Sequence, residues 1–176
     1  MLRKLRMIIV TLLIRALHPY GLNIHGIQDL RFNTELVIKN NGHIILGKRT
    51  TAFNRVTLSA NGGNLILGNN VFFNRNCIVV ALQQIIIGDN CIFGPGVTIY
   101  DHDHKFNSNG VIHGEYNTTS VVIDNNCWIG ANATILRGTH IGEGCVIGAG
   151  TVVKGDISPH SLVTNNRELC ITDIRN

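Results

Sequence analysis

Apolar residues return every six positions along most of this 176-residue chain. From residue 87 onward the series consists of Ile87, Phe93, Ile99, Ile123, Ile129, Ile135, Ile141, Ile147 and Val153, and an earlier stretch with the same step consists of Leu67, Phe73 and Val79. A period of six matches neither an α-helix nor an ordinary strand, but it suits a coil with three flat faces, in which each hexad forms one face and turns one corner. Counting hexads predicts roughly six stacked coils between about residues 40 and 164.

A small or β-branched residue stands four positions after most of these apolar residues. The set comprises Val71, Cys77, Cys91, Val97, Cys127, Ala133, Thr139, Cys145 and Thr151. Such residues fit where the wall of a coil bends, and stacking buries a continuous apolar column that a single coil could not bury. The four cysteines of the set are therefore predicted to be reduced packing residues rather than nucleophiles or disulfide partners. Between Leu46 and Leu58 the register is expected to slip, with Phe53 pointing inward one place late.

The positive charge of the chain is concentrated at its amino terminus. The formal net charge is +4, and Arg3, Lys4, Arg6 and Arg15 supply all of it. From Asp29 onward eleven Lys and Arg residues face eleven Asp and Glu residues, so no basic stripe for nucleic acid is expected.

Residues 1–28 are predicted to form a basic and apolar helical segment. Its apolar run, Met7 to Ile14, is too short to span a bilayer. Arg15 follows at once and no small-residue cleavage site is present, which argues against a signal peptide. A helix that caps the core and a helix in peripheral contact with a membrane surface through residues 1–17 both fit this pattern. We expect a cytoplasmic protein, with the inner membrane face as the surface contacted in the second case.

Two hexads show a resemblance to a known family. Ile87-Gly88-Asp89-Asn90-Cys91-Ile92 and Ile141-Gly142-Glu143-Gly144-Cys145-Val146 resemble the hexapeptide repeats of the left-handed β-helix acyltransferases, and the likeness covers about residues 65 to 164. The resemblance implies an all-β fold, a left-handed parallel β-helix over residues 29–164, with an extruded loop at 101–122, a short N-terminal helix and a C-terminal tail at 165–176. The left hand comes from the resemblance alone, because general chirality would favour the opposite hand.

The one large interruption of the repeat carries the residues best suited to chemistry. Ile123 follows Ile99 by 24 positions where the repeat needs six, so 18 residues are extruded, and the loop begins with Asp101-His102-Asp103-His104. Long loops in regular arrays are often functional. A histidine can take a hydroxyl proton near neutral pH, and a carboxylate or a backbone carbonyl on its second nitrogen fixes the tautomer. A hydrated polar turn without function is the alternative.

The resemblance to sugar and maltose-type O-acetyltransferases assigns roles to individual residues. It implies a histidine base at the start of the loop and a tryptophan after it; Trp128 lies 24 residues after His104, which favours His104 over His102 as the base. Phe72-Phe73-Asn74 resembles the family stretch whose asparagine reaches the reacting centre, so the implied catalytic residues are His104, His102 and Asn74. The implied substrate-binding residues are Asn74, Asp101 and Asp103, and the implied cofactor-binding residues are Trp128, Ala131, Ala149, Gly150 and Lys154.

Taken together, these features predict an acetyl-CoA-dependent O-acetyltransferase that acts on a hydroxyl of a sugar or polysaccharide precursor. The resemblance also implies a homotrimer with sites between subunits, and no metal. N-acetylation of an amino sugar on the same fold stays open. A zinc-dependent protein like a γ-class carbonic anhydrase is a further alternative, but His104 and His140 would supply only two ligands, and Cys145, at the third position, is committed to the core. A non-catalytic scaffold is disfavoured by the irregular outward positions.

Overall fold

The computed structural model describes residues 2–17, 20–31 and 33–165. One helix, α1 (Leu2–Leu17), precedes a solenoid of short parallel strands that form three faces. Face 1 consists of Leu22–Ile24, His43–Leu46, Asn64–Leu67, Gln84–Ile87, Val121–Ile123, His140–Ile141 and Asp156–Ile157. Face 2 consists of Asp29–Leu30, Thr51–Ala52, Phe72–Phe73, Ile92–Phe93, Trp128–Ile129, Val146–Ile147 and Leu162–Val163. Face 3 consists of Glu35–Lys39, Thr57–Asn61, Ile78–Ala81, Thr98–Tyr100, Thr134–Ile135 and Val152–Val153.

The chain visits the three faces in strict rotation, and each strand pairs in parallel with its counterpart one coil away. The predicted left-handed parallel β-helix is confirmed. Its first strand begins at Leu22, ahead of the boundary at residue 29 that the sequence suggested. The coil therefore starts earlier than the repeat pattern indicated, because the first coils are longer than three hexads and conceal the period.

The hexad residues form the core, as predicted. Every member of the two apolar series is at most 3% exposed, and every member of the small-residue series is at most 1% exposed. The four cysteines of the second series are free and buried, while the fifth cysteine of the chain, Cys170, lies outside the described residues. Burial raises the pKa of the Cys77 thiol to about 11, and its Sγ donates to the carbonyl of Gly94 at 3.1 Å. These contacts agree with a packing role.

The predicted register slip near Phe53 is wrong. Ala52 occupies the inward position and is fully buried, so Leu46, Ala52 and Leu58 keep the six-residue step. Phe53 lies outside, edge-on to the ring of Phe72 at 5.0 Å between centroids. An alanine suffices inside because its register partner is a phenylalanine, and the large ring fills the space that the small side chain leaves.

Extra residues accumulate at one corner of the coil. Leu67 follows Leu46 by 21 positions and Ile87 follows Leu67 by 20, whereas the coil from Ile123 to Ile141 takes 18. The additional residues lie between face 3 and face 1, at a corner here called edge 3/1 (residues 40–42, 62–63, 82–83, 101–120, 136–139 and 154–155). The extruded loop belongs to this edge. It is an antiparallel hairpin of two strands, His102–Asn107 and Gly110–Thr118.

Asparagines make the turn at the corner between faces 1 and 2. Asn70, Asn90 and Asn126 have φ angles of 57°, 59° and 61°, in the left-handed region that asparagine tolerates better than most residues. Their amides also bond from coil to coil, since Asn70 Nδ2 donates to Asn90 Oδ1 at 2.9 Å and Asn90 Nδ2 donates to Asn126 Oδ1 at 3.2 Å. The repeat is therefore stabilised along this corner by a ladder of side-chain hydrogen bonds.

Helix α1 caps the first coil. Val10 and Ile14 pack against the core, and the buried Thr11 hydroxyl accepts a hydrogen bond from the backbone N–H of Gln28 at 3.1 Å. Arg6 forms an ion pair with the carboxylate of Asp29. The capping interpretation of the amino-terminal segment is thus confirmed. Within the part of the chain that the structure describes, no helix is both long and apolar enough to cross a membrane.

Candidate active site

Asp101 ends face 3 at the base of the hairpin, and its carboxylate is fully buried. The backbone N–H groups of Leu82, Gln83 and Gln84, which form edge 3/1 one coil earlier, all donate to its two oxygens at 2.7–3.0 Å. A buried carboxylate held by three backbone donors is well compensated for its lost hydration. Asp101 therefore fixes the point at which the hairpin leaves the coil.

His102 is held by the same carboxylate. Its Nδ1–H donates to Asp101 Oδ1 at 3.0 Å, and the side chain is only 14% exposed. The rings of Tyr100 and Tyr116 stand edge-on to the imidazole at 5.8 and 5.5 Å between centroids. A carboxylate on Nδ1 selects the tautomer in which Nε2 carries the lone pair. The arrangement can therefore present Nε2 as a proton acceptor on a ring of fixed orientation.

His104 has a different environment. Its side chain is exposed, and its ring contacts the ring of Tyr116, with 4.8 Å between centroids and an interplanar angle of 45°. Asp103, between the two histidines, accepts a hydrogen bond from Arg137 Nε at 2.5 Å, which ties the hairpin to the following coil. In the sequence, the alternation of acids and histidines does not distinguish these two pairs. In the structure, His102 is paired with a buried acid and His104 is not.

Four of the residues implied by the resemblance lie along another corner, edge 2/3, between face 2 and face 3 (residues 74–77, 94–97, 130–133 and 148–151). Asn74 is partly buried there, and its Oδ1 accepts a hydrogen bond from the N–H of the next residue at 2.8 Å. Ala131 and Ala149 stack in successive coils, and the N–H of Gly150 donates to the carbonyl of Ala131 at 2.7 Å. Within the described part of the chain, the N–H groups of Ala131 and Ala149 donate to no protein acceptor. Two backbone donors are thus available beside the small side chains of Ala131 and Ala149.

Trp128 and Lys154 lie apart from these groups. Trp128 is 55% exposed on face 2, between Ile92, which is 49% exposed, and Val146. Leu162, next in this column, is 71% exposed. Lys154 is exposed on edge 3/1, two coils beyond the hairpin.

One protomer does not bring the implied site residues together. Asp101, His102, His104 and Lys154 lie on edge 3/1, whereas Asn74, Ala131, Ala149 and Gly150 lie on edge 2/3, with the width of face 3 between the two edges. Sequence reasoning missed Tyr100 and Tyr116, whose rings lie against the histidines, and Arg137, which binds Asp103 between them. Tyr100 could have been found from its place two residues before His102. Tyr116 and Arg137 could not, because the hairpin pairing and the stacking of coils bring them near.

The structure gives little support to a metal centre. Among the residues that the structure describes, no group of three or more His, Cys, Asp or Glu side chains is arranged to hold a metal ion. His140 Nε2 pairs with Asp124 at 3.1 Å, and Cys145 is buried with its Sγ donating to the carbonyl of Ser158 at 3.1 Å. Neither side chain is turned toward a shared ligand.

Comparison with known proteins identifies the repeat. Residues 120–155 match the family model described as bacterial transferase hexapeptide (six repeats). These residues are similar to the family's hexapeptide repeats. The resemblance that the hexads showed is therefore confirmed, and the matched residues comprise the coil that follows the hairpin and most of the next one.

Curated relatives of this chain are acetyltransferases by name. It is 36% identical over 99 residues to the galactoside O-acetyltransferase of Escherichia coli (strain K12), covering 56% of this chain and 49% of that protein. It is 43% identical over 105 residues to a candidate acetyltransferase of Staphylococcus aureus (strain COL), covering 60% and 53%. The chain thus matches only about half the length of these relatives.

Solved structures share the fold. AntD, an N-acyltransferase from Bacillus cereus solved with dTDP and 3-hydroxybutyryl-CoA, has a TM-score of 0.70 at 16% identity, over 88% of this chain and 83% of that one. A hexapeptide-repeat acetyltransferase from Vibrio cholerae solved with acetyl coenzyme A has a TM-score of 0.60 at 24% identity, over 88% and 70%. At these identities the likeness concerns the solenoid.

Proposed function

We propose that this protein is an acetyl-CoA-dependent O-acetyltransferase that acts on a hydroxyl of a sugar or polysaccharide precursor. The observation that carries the proposal is the buried Asp101 carboxylate bonded to His102 at 3.0 Å, at the one corner where the repeat is interrupted by a hairpin. The names of the curated relatives agree with the reaction. We propose His102, rather than His104, as the general base.

The chemistry follows from the fixed tautomer of His102. Its Nε2 lone pair takes the proton of the acceptor hydroxyl while the hydroxyl oxygen attacks the thioester carbonyl carbon. Asp101 stabilises the imidazolium that forms, as a carboxylate on the far nitrogen does in other histidine bases. The thioester C–S bond then breaks, the proton passes from His102 to the sulfur, and the products are an acetyl ester and free CoA. No covalent intermediate with the protein is needed.

Edge 2/3 supplies the groups for the other side of the reaction. The unpaired N–H groups of Ala131 and Ala149 are suited to donate hydrogen bonds to the amide carbonyls of a pantetheine chain, and the small side chains allow close approach. Asn74, on the same edge, is suited to hold the developing oxyanion or the acceptor. Lys154 is suited to meet a phosphate, and Trp128 offers an exposed ring for the thioester end of the cofactor.

Because these groups occupy two different edges, we propose that the site forms between protomers of a homotrimer. Edge 3/1 of one protomer would face edge 2/3 of the next, which would bring His102 of the first protomer close to Asn74 of the second. The exposed apolar column on face 2, with Ile92, Trp128 and Leu162 between 49% and 71% exposed, is compatible with burial on assembly.

Release of free thiol from acetyl-CoA, measured across free sugars, sugar nucleotides and oligosaccharides, tests the reaction and identifies the acceptor. Amino sugars in the same panel distinguish N-acetylation. His102→Ala should lower turnover by about 10²-fold or more, as removal of a general base does. His104→Ala should have a smaller effect, and His140→Ala, which removes an exposed histidine outside the hairpin, should have none. A large loss in His104→Ala with none in His102→Ala would reverse the assignment.

Mixing two inactive variants tests the shared site. The His102→Ala and Asn74→Ala variants are unfolded and refolded together in equal amounts, so that they form mixed trimers. In these trimers about a quarter of the sites should combine an intact His102 on edge 3/1 with an intact Asn74 on edge 2/3 of the next protomer. Activity should then recover to about a quarter of the wild-type value, whereas each variant refolded alone stays inactive. Failure to recover in mixed trimers, shown by differently tagged chains, would place the site within one protomer.

A further inference from the structure

Helix α1 uses only one of its faces to cap the coil. Val10, Thr11 and Ile14 face the core, while the opposite side carries exposed leucines and isoleucines at helical spacing. This helix face consists of Leu5, Ile8, Ile9, Leu12 and Leu13, which are between 40% and 58% exposed. Five neighbouring aliphatic side chains in water are unfavourable, and such contiguous patches mark interaction surfaces.

A groove adjoins the helix face on the side toward the first two coils. It has a volume of about 620 Å³, and its apolar lining includes Met7, Ile8 and Ile27. Its charged lining consists of Lys4, Lys48 and Arg49, without a carboxylate. We call it the basic groove. Ile8 belongs to both surfaces, so the apolar stripe runs from the helix face into a cleft rimmed by cations.

The charge of the chain is polarised toward this end. Residues 1–50 contain eight Lys and Arg against two Asp and Glu, and the remaining residues contain seven against nine. Of the two acids, Asp29 is buried and paired with Arg6, so it does not offset the exposed cations. The capped end of the prism is therefore positive, while the rest of the chain is slightly negative.

We propose that α1 docks this protein on the surface of an anionic lipid bilayer, with the helix face in the acyl boundary and the basic groove on lipid phosphates. Helices that combine an apolar stripe with flanking lysines and arginines gain from both burial and surface charge at such an interface. The buried contacts of Thr11 and the Arg6–Asp29 pair hold the helix against the coil, so the docked surface is rigid. The helix lies along the surface, since it is too short to cross.

A second copy of the chain is the less suitable occupant. Pairing of two helix faces would bring Lys4, Lys48 and Arg49 of both copies together without carboxylates to offset them. Like charges at an interface oppose association. Anionic headgroups supply the charge that the groove lacks.

Vesicle flotation of the full chain tests the proposal. The protein should bind vesicles of phosphatidylcholine containing about one-third phosphatidylglycerol and bind pure phosphatidylcholine at least several-fold more weakly. Leu12→Asp should lower binding to anionic vesicles about tenfold or more, because it removes an exposed leucine that inserts into the acyl boundary and adds a negative charge. Lys48→Ala should lower it about fivefold, the equivalent of about 1 kcal/mol per cation near the surface.

Matched controls distinguish a loss of membrane docking from the general effect of adding an acid or removing a cation. Val111→Asp changes an exposed apolar residue on the hairpin, and Arg55→Ala removes an exposed cation from another corner. Both should bind as the wild type does, and thermal melting should show that all four variants fold. Wild-type protein that does not bind anionic vesicles, or folded Leu12→Asp protein that binds equally well, would refute the proposal. A smaller oligomer in Leu12→Asp by light scattering would also refute it and assign the helix face to a second copy. These outcomes do not depend on acetyl transfer.

Discussion

Removal of the Asp101 carboxylate should destabilise the coil far more than removal of a neighbouring acid. Asp101→Ala leaves the N–H groups of Leu82, Gln83 and Gln84 facing a buried methyl group. Each buried donor without a partner costs about 1–3 kcal/mol, so the loss should total roughly 3–6 kcal/mol once partial entry of water is allowed for. For a chain of this size, that corresponds to a melting temperature lower by roughly 6–24 °C.

Asp103→Ala is the matched control. It removes the same residue type two positions away, but Asp103 is 44% exposed and pairs only with Arg137 at the surface, where an ion pair contributes about 1 kcal/mol or less. Circular dichroism melts of the two variants and the wild type make the comparison. If Asp101→Ala melts within about 2 °C of Asp103→Ala, the carboxylate does not hold the corner and the argument fails.

Four further predictions follow from the packing and from the proposed site. Burial raises the pKa of the Cys77 thiol from its ordinary value of 9.0 to about 11, so the folded chain keeps this proton to a higher pH than the unfolded chain does. The free energy of unfolding, measured with denaturant, should therefore fall as pH rises from about 9 to 11. In a Cys170→Ser background, native protein should react with less than about one equivalent of a thiol reagent at pH 8, and rapid labelling of all remaining thiols would contradict the buried packing role. Gly130→Ala should lower the free energy of unfolding by about 1–3 kcal/mol, because a Cβ there would lie 2.6 Å from a backbone nitrogen of the next coil; an unchanged denaturation midpoint would show that the stacking relaxes. Trp128→Ala should raise the KM for acetyl-CoA more than it lowers kcat, whereas an unchanged KM would remove the tryptophan from the cofactor site.

The candidate site could be predicted only in part. The position of the interruption identified Asp101 to His104 as the place for chemistry, but residue spacing favoured His104, whereas the buried carboxylate favours His102. The difference arises because counting residues across the hairpin assumes a fixed loop length. The partner of each imidazole depends instead on where the backbone leaves the coil, which the contact of Asp101 with the preceding coil decides.

The hexad period by itself determined the stacked three-faced coil, its inward residues and the buried cysteines. A side chain at every sixth position points inward, and each one packs on the equivalent side chain of the next coil. Near Phe53 the same reasoning was wrong, since volume in a core is shared between strands and an alanine beside a phenylalanine fills it as well. Only the tertiary structure decided the course of edge 3/1, the pairing of Asp101 with His102 and the separation of the site residues on two edges. Those features depend on contacts between residues 17 to 36 positions apart, and a local pattern in the sequence contains no information about which coil will lie against which.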